Sequence, residues 1–211
     1  MTRHPKSLLV TLVAVVSAIA LAACGSSSND NKSSNNGGGA DITPQSGQKK
    51  GGILKVQSVE GFEHLDPGSS YFQLDYEVVY ATQRPLYSFK PGDATTPVPD
   101  LAEGKPQIAS NNKKITVKIR PGVKFSPPVN REVTTKDIKY AFERAFTQNV
   151  PSGYATSYFG DIKGAPTGPG KFKDIEGIKT PDDHTIVFEL KRATAVTVAA
   201  ALVMPITVPV P

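Results

Sequence analysis

Residues 114–125 read KITVKIRPGVKF, and the first seven alternate without a break. Ile115, Val117 and Ile119 fall on one side, and Lys114, Thr116, Lys118 and Arg120 on the other. That period sets a strand with one face on a core and one in water, as in an antiparallel sheet with a wet face. Pro121-Gly122 then turns the chain, and Val123 and Phe125 begin a second short apolar piece. Further on, Thr134 with Asp137 three residues later has capping-box spacing. It predicts a helix with Ile138, Phe142, Ala145 and Phe146 on the core side, and Lys136, Lys139, Glu143 and Arg144 in solvent. Past a Gly/Pro-rich loop at 164–170, Ile175 and Ile178 lead to a turn at Thr180-Pro181-Asp182-Asp183. Residues 185–190 alternate again, with Ile186, Phe188 and Leu190 inward.

Upstream of the quoted stretch, Ile53-Leu54-Lys55-Val56 reads as a strand after Gly51-Gly52. Leu65-Asp66-Pro67-Gly68 is a turn, since each of Asp, Pro and Gly favours a bend. Leu74 to Ala81 has helical spacing, with Leu74, Val78 and Ala81 on one side and Tyr76 and Tyr80 paired one turn apart. Pro91-Gly92-Asp93 is a turn, and Pro97, Pro99 and Pro106 mark an irregular stretch around Leu101-Ala102-Glu103. Ala193 to Met204 is apolar and too short to span a bilayer. The ending at Val208-Pro209-Val210-Pro211 reads as a chain cut short, with the apolar 195–210 segment partly uncovered. Helices mixed with antiparallel-looking strands predict a fold class of α/β to α+β mixed.

The first fifty residues have another character. Arg3 and Lys6 precede the apolar run LLVTLVAVVSAIALAA at 8–23, the pattern of a secretory signal. Leu21-Ala22-Ala23-Cys24-Gly25 resembles the bacterial lipobox, which implies that the Cys24 thiol receives a diacylglyceryl group and becomes the mature N-terminus. Residues 25–50 are rich in Ser, Asn and Gly, with almost nothing to bury, and are expected to be a disordered tether. Such a coil reaches about 25–30 Å.

Charge and composition narrow the partners. The formal charge of +5 falls by two, to +3, once Arg3 and Lys6 are removed with the signal. The remaining cations are spread among acids and form no stripe, which argues against nucleic acid and for a mildly cationic surface near anionic lipid. A single Cys excludes an internal disulfide and any zinc site needing two thiolates.

No catalytic constellation emerges. Beyond His4 in the signal, His64 and His184 are far apart. His64 beside Glu63 and Asp66 reads as a surface turn rather than a ligand set. The run Asp182-Asp183-His184 reads as turn chemistry, because adjacent side chains on a tight turn diverge. No Gly-x-Ser-x-Gly elbow, dinucleotide fingerprint or phosphate loop is present. The expectation is no catalytic residue, no metal and no cofactor.

Several segments in order carry a family resemblance. They are Gly51-Gly52-x-Leu54-x-Val56, Leu65-Asp66-Pro67, Leu86-Tyr87, and Pro97 through Ala102. The strongest piece runs from Thr116 to Phe125 and on through Val133-Thr134 and Asp137 to Arg144. Ile162 to Ala165, Thr180 to Thr185 and Pro205 to Pro211 continue it. The chain resembles the N-terminal part of the extracytoplasmic solute-binding proteins of ABC importers, in the oligopeptide/dipeptide-binding family. It departs from that pattern in a long proline-stiffened loop, Phe125 to Glu132, and in being far shorter than family members.

The resemblance implies part of a two-lobed periplasmic-binding-protein-like fold. Residues 1–23 would be the signal, 24–50 the tether, 51–86 the start of the first lobe, and 87–211 a smaller inserted domain. It implies capture of a peptide or other small solute, delivery to an ABC importer permease, and a place outside the cytoplasmic membrane, held by lipid on Cys24. Tyr71, Phe72 and Gln73 would border the ligand cleft, the alternative being that Tyr71 and Phe72 are inter-domain core. Two other functional classes stay open, a lipid-anchored cell-surface hydrolase and a non-catalytic structural lipoprotein.

Overall fold

The computed structural model describes residues 51–53 and 55–211. The expected signal, Cys24 and the expected tether lie outside the described residues, as does Leu54. Helix α1 spans Gln73–Thr82, and the hairpin β1 (Tyr87–Lys90) and β2 (Asp93–Pro99) follows it. Then come β3 (Gln107–Ile108), β4 (Lys114–Lys118), α2 (Thr135–Ala145) and the short α3 (Ala155–Phe159). The hairpin β5 (Ile178–Asp182) and β6 (Thr185–Glu189) is followed by α4 (Ala195–Ala200) and two 3-10 turns, Ala201–Val203 and Pro205–Thr207.

The alternating stretch that opened the sequence is the interior strand β4. It lies in a four-stranded antiparallel sheet of order β3-β4-β6-β5, and Ile115 faces Phe188 while Val117 faces Ile186 across the β4–β6 ladder. Ile115, Val117, Ile119, Ile186, Phe188 and Ile178 are buried together against α2. Phe142 of α2 meets the Phe159 and Phe188 rings edge-on, with centroids 4.9 and 5.3 Å away. The helix begins as its spacing predicts: the Asp137 carboxylate accepts the Thr134 backbone N–H at 2.8 Å. All six strands among the described residues pair antiparallel, so the mixed fold is of the α+β kind.

Several expectations need correction. Ile53, Lys55 and Val56 form no strand, and Ile53 and Val56 stand in solvent, since no described strand lies alongside to complete a ladder. In α1 the buried positions are Asp75 and Val79, not Leu74, Val78 and Ala81, which instead line an open apolar groove with Val56 and Phe62. Two residues of α2 assigned to solvent turn inward. Glu143 is buried and accepts the Ile175 N–H at 2.9 Å, and Arg144 grips Asp66 through both terminal guanidinium nitrogens.

Residues 93–99 form strand rather than irregular chain; their prolines are tolerated because each strand of a two-stranded ribbon is an edge. The expected turn at 180–183 tightens to Asp183-His184, and β5 runs through Pro181 at the sheet's edge, where the register shifts. The 195–210 segment, expected to be partly uncovered, is largely packed away. Ala195, Val198, Leu202, Ile206 and Val208 are buried, and Val196 is the large apolar side chain left outside. Its polar atoms are used too: Tyr80 Oη donates to the Val203 carbonyl at 2.6 Å, and Thr207 Oγ1 accepts the Leu86 N–H at 3.0 Å.

Candidate ligand-contact site

Tyr71, Phe72 and Gln73 form the entry to α1, and a buried carboxylate decides their shape. Asp75 has no solvent exposure. It accepts backbone N–H groups from Glu63 and Tyr71 at 2.9 and 3.2 Å, and longer ones from His64 and Phe72 at 3.3 and 3.4 Å. Burial alone would raise its pKa. The converging donors outweigh burial and hold the carboxyl below the ordinary Asp value. One side chain therefore caps the helix and fixes both the 63–64 segment and the 71–72 corner. The turn below it is held by Ser69 and Ser70 N–H groups donating to the Asp66 carbonyl, each at 3.0 Å.

On this brace the Tyr71 and Phe72 rings stand 49% exposed, 5.4 Å apart and edge to face. Tyr71 stacks on Tyr154 at 4.8 Å with a 17° interplanar angle, and Tyr154 Oη donates to the Tyr71 carbonyl at 3.2 Å. Gly153 is needed for that stack, since a Cβ there would lie 2.5 Å from the Tyr71 ring. Behind the pair, Tyr76 lies 6.2 Å from Tyr154 and 5.9 Å from Tyr80, and Tyr158 lies 5.7 Å from Tyr154. The Tyr76 hydroxyl is buried without a hydrogen-bond partner among the described residues, and burial pushes its pKa up. Gln73 points elsewhere and donates to Glu77 Oε1 at 3.0 Å.

Thus Tyr71 and Phe72 come together while Gln73 turns away along the helix. Tyr154 and Asp75 escaped the reading of the sequence. The signal for Tyr154 was the Gly153-Tyr154 pair, in which a residue without a side chain leaves room for an aromatic stack.

The two histidines are placed apart from this corner. His64 is exposed and contributes its backbone N–H to Asp75. His184 Nε2 lies 3.1 Å from Glu132 Oε1, which also accepts the Gly122 N–H at 2.6 Å; that N–H, with His184 second, holds the Glu132 carboxyl low. Asp182 is occupied by the His184 N–H at 2.8 Å, and Asp183 faces Lys136 at 3.9 Å, so the Asp-Asp-His run diverges. Among the described residues no group of three or more His, Cys, Asp or Glu is placed to hold a metal. The main-chain N–H groups of Tyr71 and Phe72 are taken by Asp75 and their carbonyls accept from Tyr154 and Tyr76, so the corner offers aromatic faces and hydroxyls. These suit stacking and hydrogen bonding, and the corner contains no paired nucleophile and base.

Comparison with known proteins agrees with the fold. The sequence profile described as bacterial extracellular solute-binding proteins, family 5 Middle, matches residues 96–211. Comparison with curated protein sequences gives no match. Among solved structures, clavulanic acid biosynthesis oligopeptide binding protein 2 is similar at 27% identity and a TM-score of 0.61, over 72% of this chain and 28% of its own. Listeria monocytogenes OppA bound to peptide is similar at 27% identity and a TM-score of 0.58, over 69% and 28%. The substrate-binding domain of an oligopeptide ABC transporter from Bacillus anthracis str. Ames follows at 26% and 0.59, over 70% and 27%. The chain thus spans little more than a quarter of the length of these structures and matches part of the two-lobed periplasmic-binding-protein fold. With a profile match covering more than half of its residues, the chain belongs to the bacterial extracellular solute-binding proteins of family 5.

Proposed function

We propose that this chain supplies one wall of an extracytoplasmic peptide-capture site, in the solute-binding component of an ABC importer. Proteins of this family bind solutes rather than transform them. The observation that carries the reading is the Tyr71–Phe72 corner: two half-exposed rings, braced by Asp75 and stacked on Tyr154, in a fold shared with oligopeptide-binding proteins. Exposed aromatics on a rigid mount bind well, because little freedom remains to be lost on contact. In this reading residues 51–86 begin the first lobe and 87–211 form the inserted domain, so the Tyr71–Tyr154 stack joins the two. Extended peptides would lie across the Tyr71 and Phe72 rings, because the N–H groups of both residues are already taken by Asp75.

Titrating the isotopically labelled chain with a mixed peptide library tests this. Chemical-shift changes should centre on Tyr71, Phe72 and Tyr154, and Tyr71→Ala should abolish them. Changes centred on the groove between Arg84, Phe125 and Val208 would move the site and overturn the assignment.

The cationic apolar leader and Leu21-Ala22-Ala23-Cys24 support lipid anchoring on the outer side of the cytoplasmic membrane. Cys24→Ser should release the protein from the membrane fraction and abolish labelling by radioactive fatty acid. Continued labelling of that variant would exclude Cys24 as the anchor.

A further inference from the structure

The four-stranded sheet buries one face, and the outward positions of β4, β5 and β6 on the other are exposed or half-buried. Cross-strand partners share a face, so the register places Lys114 opposite Glu189, Thr116 opposite Val187, and Lys118 opposite Thr185 on the outer side. Lys179 joins the same face opposite Val187, and Gln107 opposite Thr116. Lys114, Lys118 and Lys179 are all exposed, as are Lys105 and Lys113 at the margins. Depressions of about 370 and about 280 Å³ flank β4, the first lined by Lys113, Lys114, Lys163 and Lys191, the second by Lys105 and Lys118.

Unpaired lysines also stand elsewhere in the described residues, Lys55, Lys90, Lys124 and Lys171 among them, but on this face they gather on one surface. Arg84, Arg131, Arg144 and Arg192 are each matched to an aspartate. Lys105, Lys113, Lys114, Lys118 and Lys179 take part in no ion pair among the described residues. Of the acids close by, Glu189 is taken by Lys163 at 3.3 Å, and Asp174, which feels Lys179, is held by Lys139 at 2.6 Å. Glu103 stands exposed at one margin and Asp182 at the end of β5. The outer face is therefore a surplus of uncompensated lysines on a sheet.

We propose that this face docks on an anionic lipid surface and orients the domain on the membrane. The inference rests on the envelope location proposed above. A specific protein interface is built around buried aromatic or aliphatic anchors and is depleted in lysine. Among the described residues, Val187 is the only large apolar residue on the outer face, and it is half-buried. Lysines are compact point charges on flexible stems, suited to an interface of mobile headgroups that demands no fixed geometry.

The full chain carrying Cys24→Ser can be sedimented with vesicles of phosphatidylcholine alone or mixed with phosphatidylglycerol, at low and physiological ionic strength. The readout is the ratio of binding to anionic over neutral vesicles, in which the contribution of the apolar 8–23 segment cancels. Each lysine near such a surface is worth about fivefold, so combined Lys113→Gln, Lys114→Gln, Lys118→Gln and Lys179→Gln should lower the ratio at least about tenfold. Replacing Lys55, Lys90, Lys124 and Lys171 should change it far less. All eight residues are exposed, and matched thermal melts would show that the fold is kept. An equal ratio for parent and sheet-face variant, or an equal loss in the control, would overturn the proposal; an acidic protein would then be the better partner for the face. Fatty-acid labelling of Cys24 reports on anchoring independently, so failure of the location and failure of the docking face are separable.

Discussion

Asp75 shows how much one residue can decide. It sits in the first turn of α1 without exposure, and its two oxygens serve four N–H groups, two from residues 63–64 and two from the Tyr71–Phe72 corner itself. Asparagine would keep one acceptor and turn an NH2 group toward donors. Asp75→Asn should therefore cost about 1–3 kcal/mol in urea unfolding at neutral pH, and should speed amide exchange at Tyr71 and Phe72. The pH dependence follows from the sign of the shift. The folded-state pKa is depressed, so the stabilisation is complete above the unfolded value of about 3.9 and is lost as pH falls through the lower folded value. The asparagine variant should lose that part of the acid transition, and an unchanged acid profile would show that the carboxylate is not the brace. Asp75 was hidden in the sequence for a physical reason. A carboxylate reads as a solvent residue, and Leu74, Val78 and Ala81 offer a plausible apolar stripe on the other phase of the helix. Only the folded corner brings in enough donors to make burial of the charge favourable.

Helix α2 is the element on which the sheet is built, and its ends and face carry separable contributions. Removing the Thr134 side chain should cost about 0.5–2 kcal/mol, the usual range for an N-cap. Phe142→Ala should cost about 3–5 kcal/mol, because a fully buried ring touching Phe159 and Phe188 leaves a cavity the sheet cannot close. Equilibrium denaturation of the two variants checks the order, and a larger loss for Thr134→Ala would place the helix register elsewhere. The elements legible in the sequence were those with clear periods: β4, β6 and α2, and α1 in its extent though not in its buried face. The β1–β2 hairpin escaped because Pro97 and Pro99 look like strand breakers, which they are only where both edges of a strand need partners. The Ala195–Thr207 segment escaped because its short helical turns carry no period long enough to reveal a face. Its burial depends on contacts with Tyr80 and Leu86, more than a hundred residues away.

At the scale of the whole molecule, the proposed site is a surface and not an enclosure. Tyr71 and Phe72 are each half exposed, and the described residues present a corner on one side of where a peptide would lie. Association must first overcome several kcal/mol of lost translational and rotational freedom, together with the ordering of an extended peptide. Two half-buried aromatic contacts at about 0.5–1.5 kcal/mol each beyond their area leave little surplus, since the Tyr71 and Phe72 N–H groups are already bound by Asp75. The relatives that carry bound peptide are longer; the Listeria protein matches with 28% of its chain. The 211-residue chain should accordingly bind mixed peptides at millimolar affinity or weaker, too weak for a calorimetric isotherm yet visible as the localised shift changes described above. Tyr154→Ala should weaken it further by releasing Tyr71 from its stack, whereas Tyr140→Ala, at an exposed ring on α2, should not. A micromolar isotherm would mean that these residues enclose a peptide by themselves, and capture would then need no second wall.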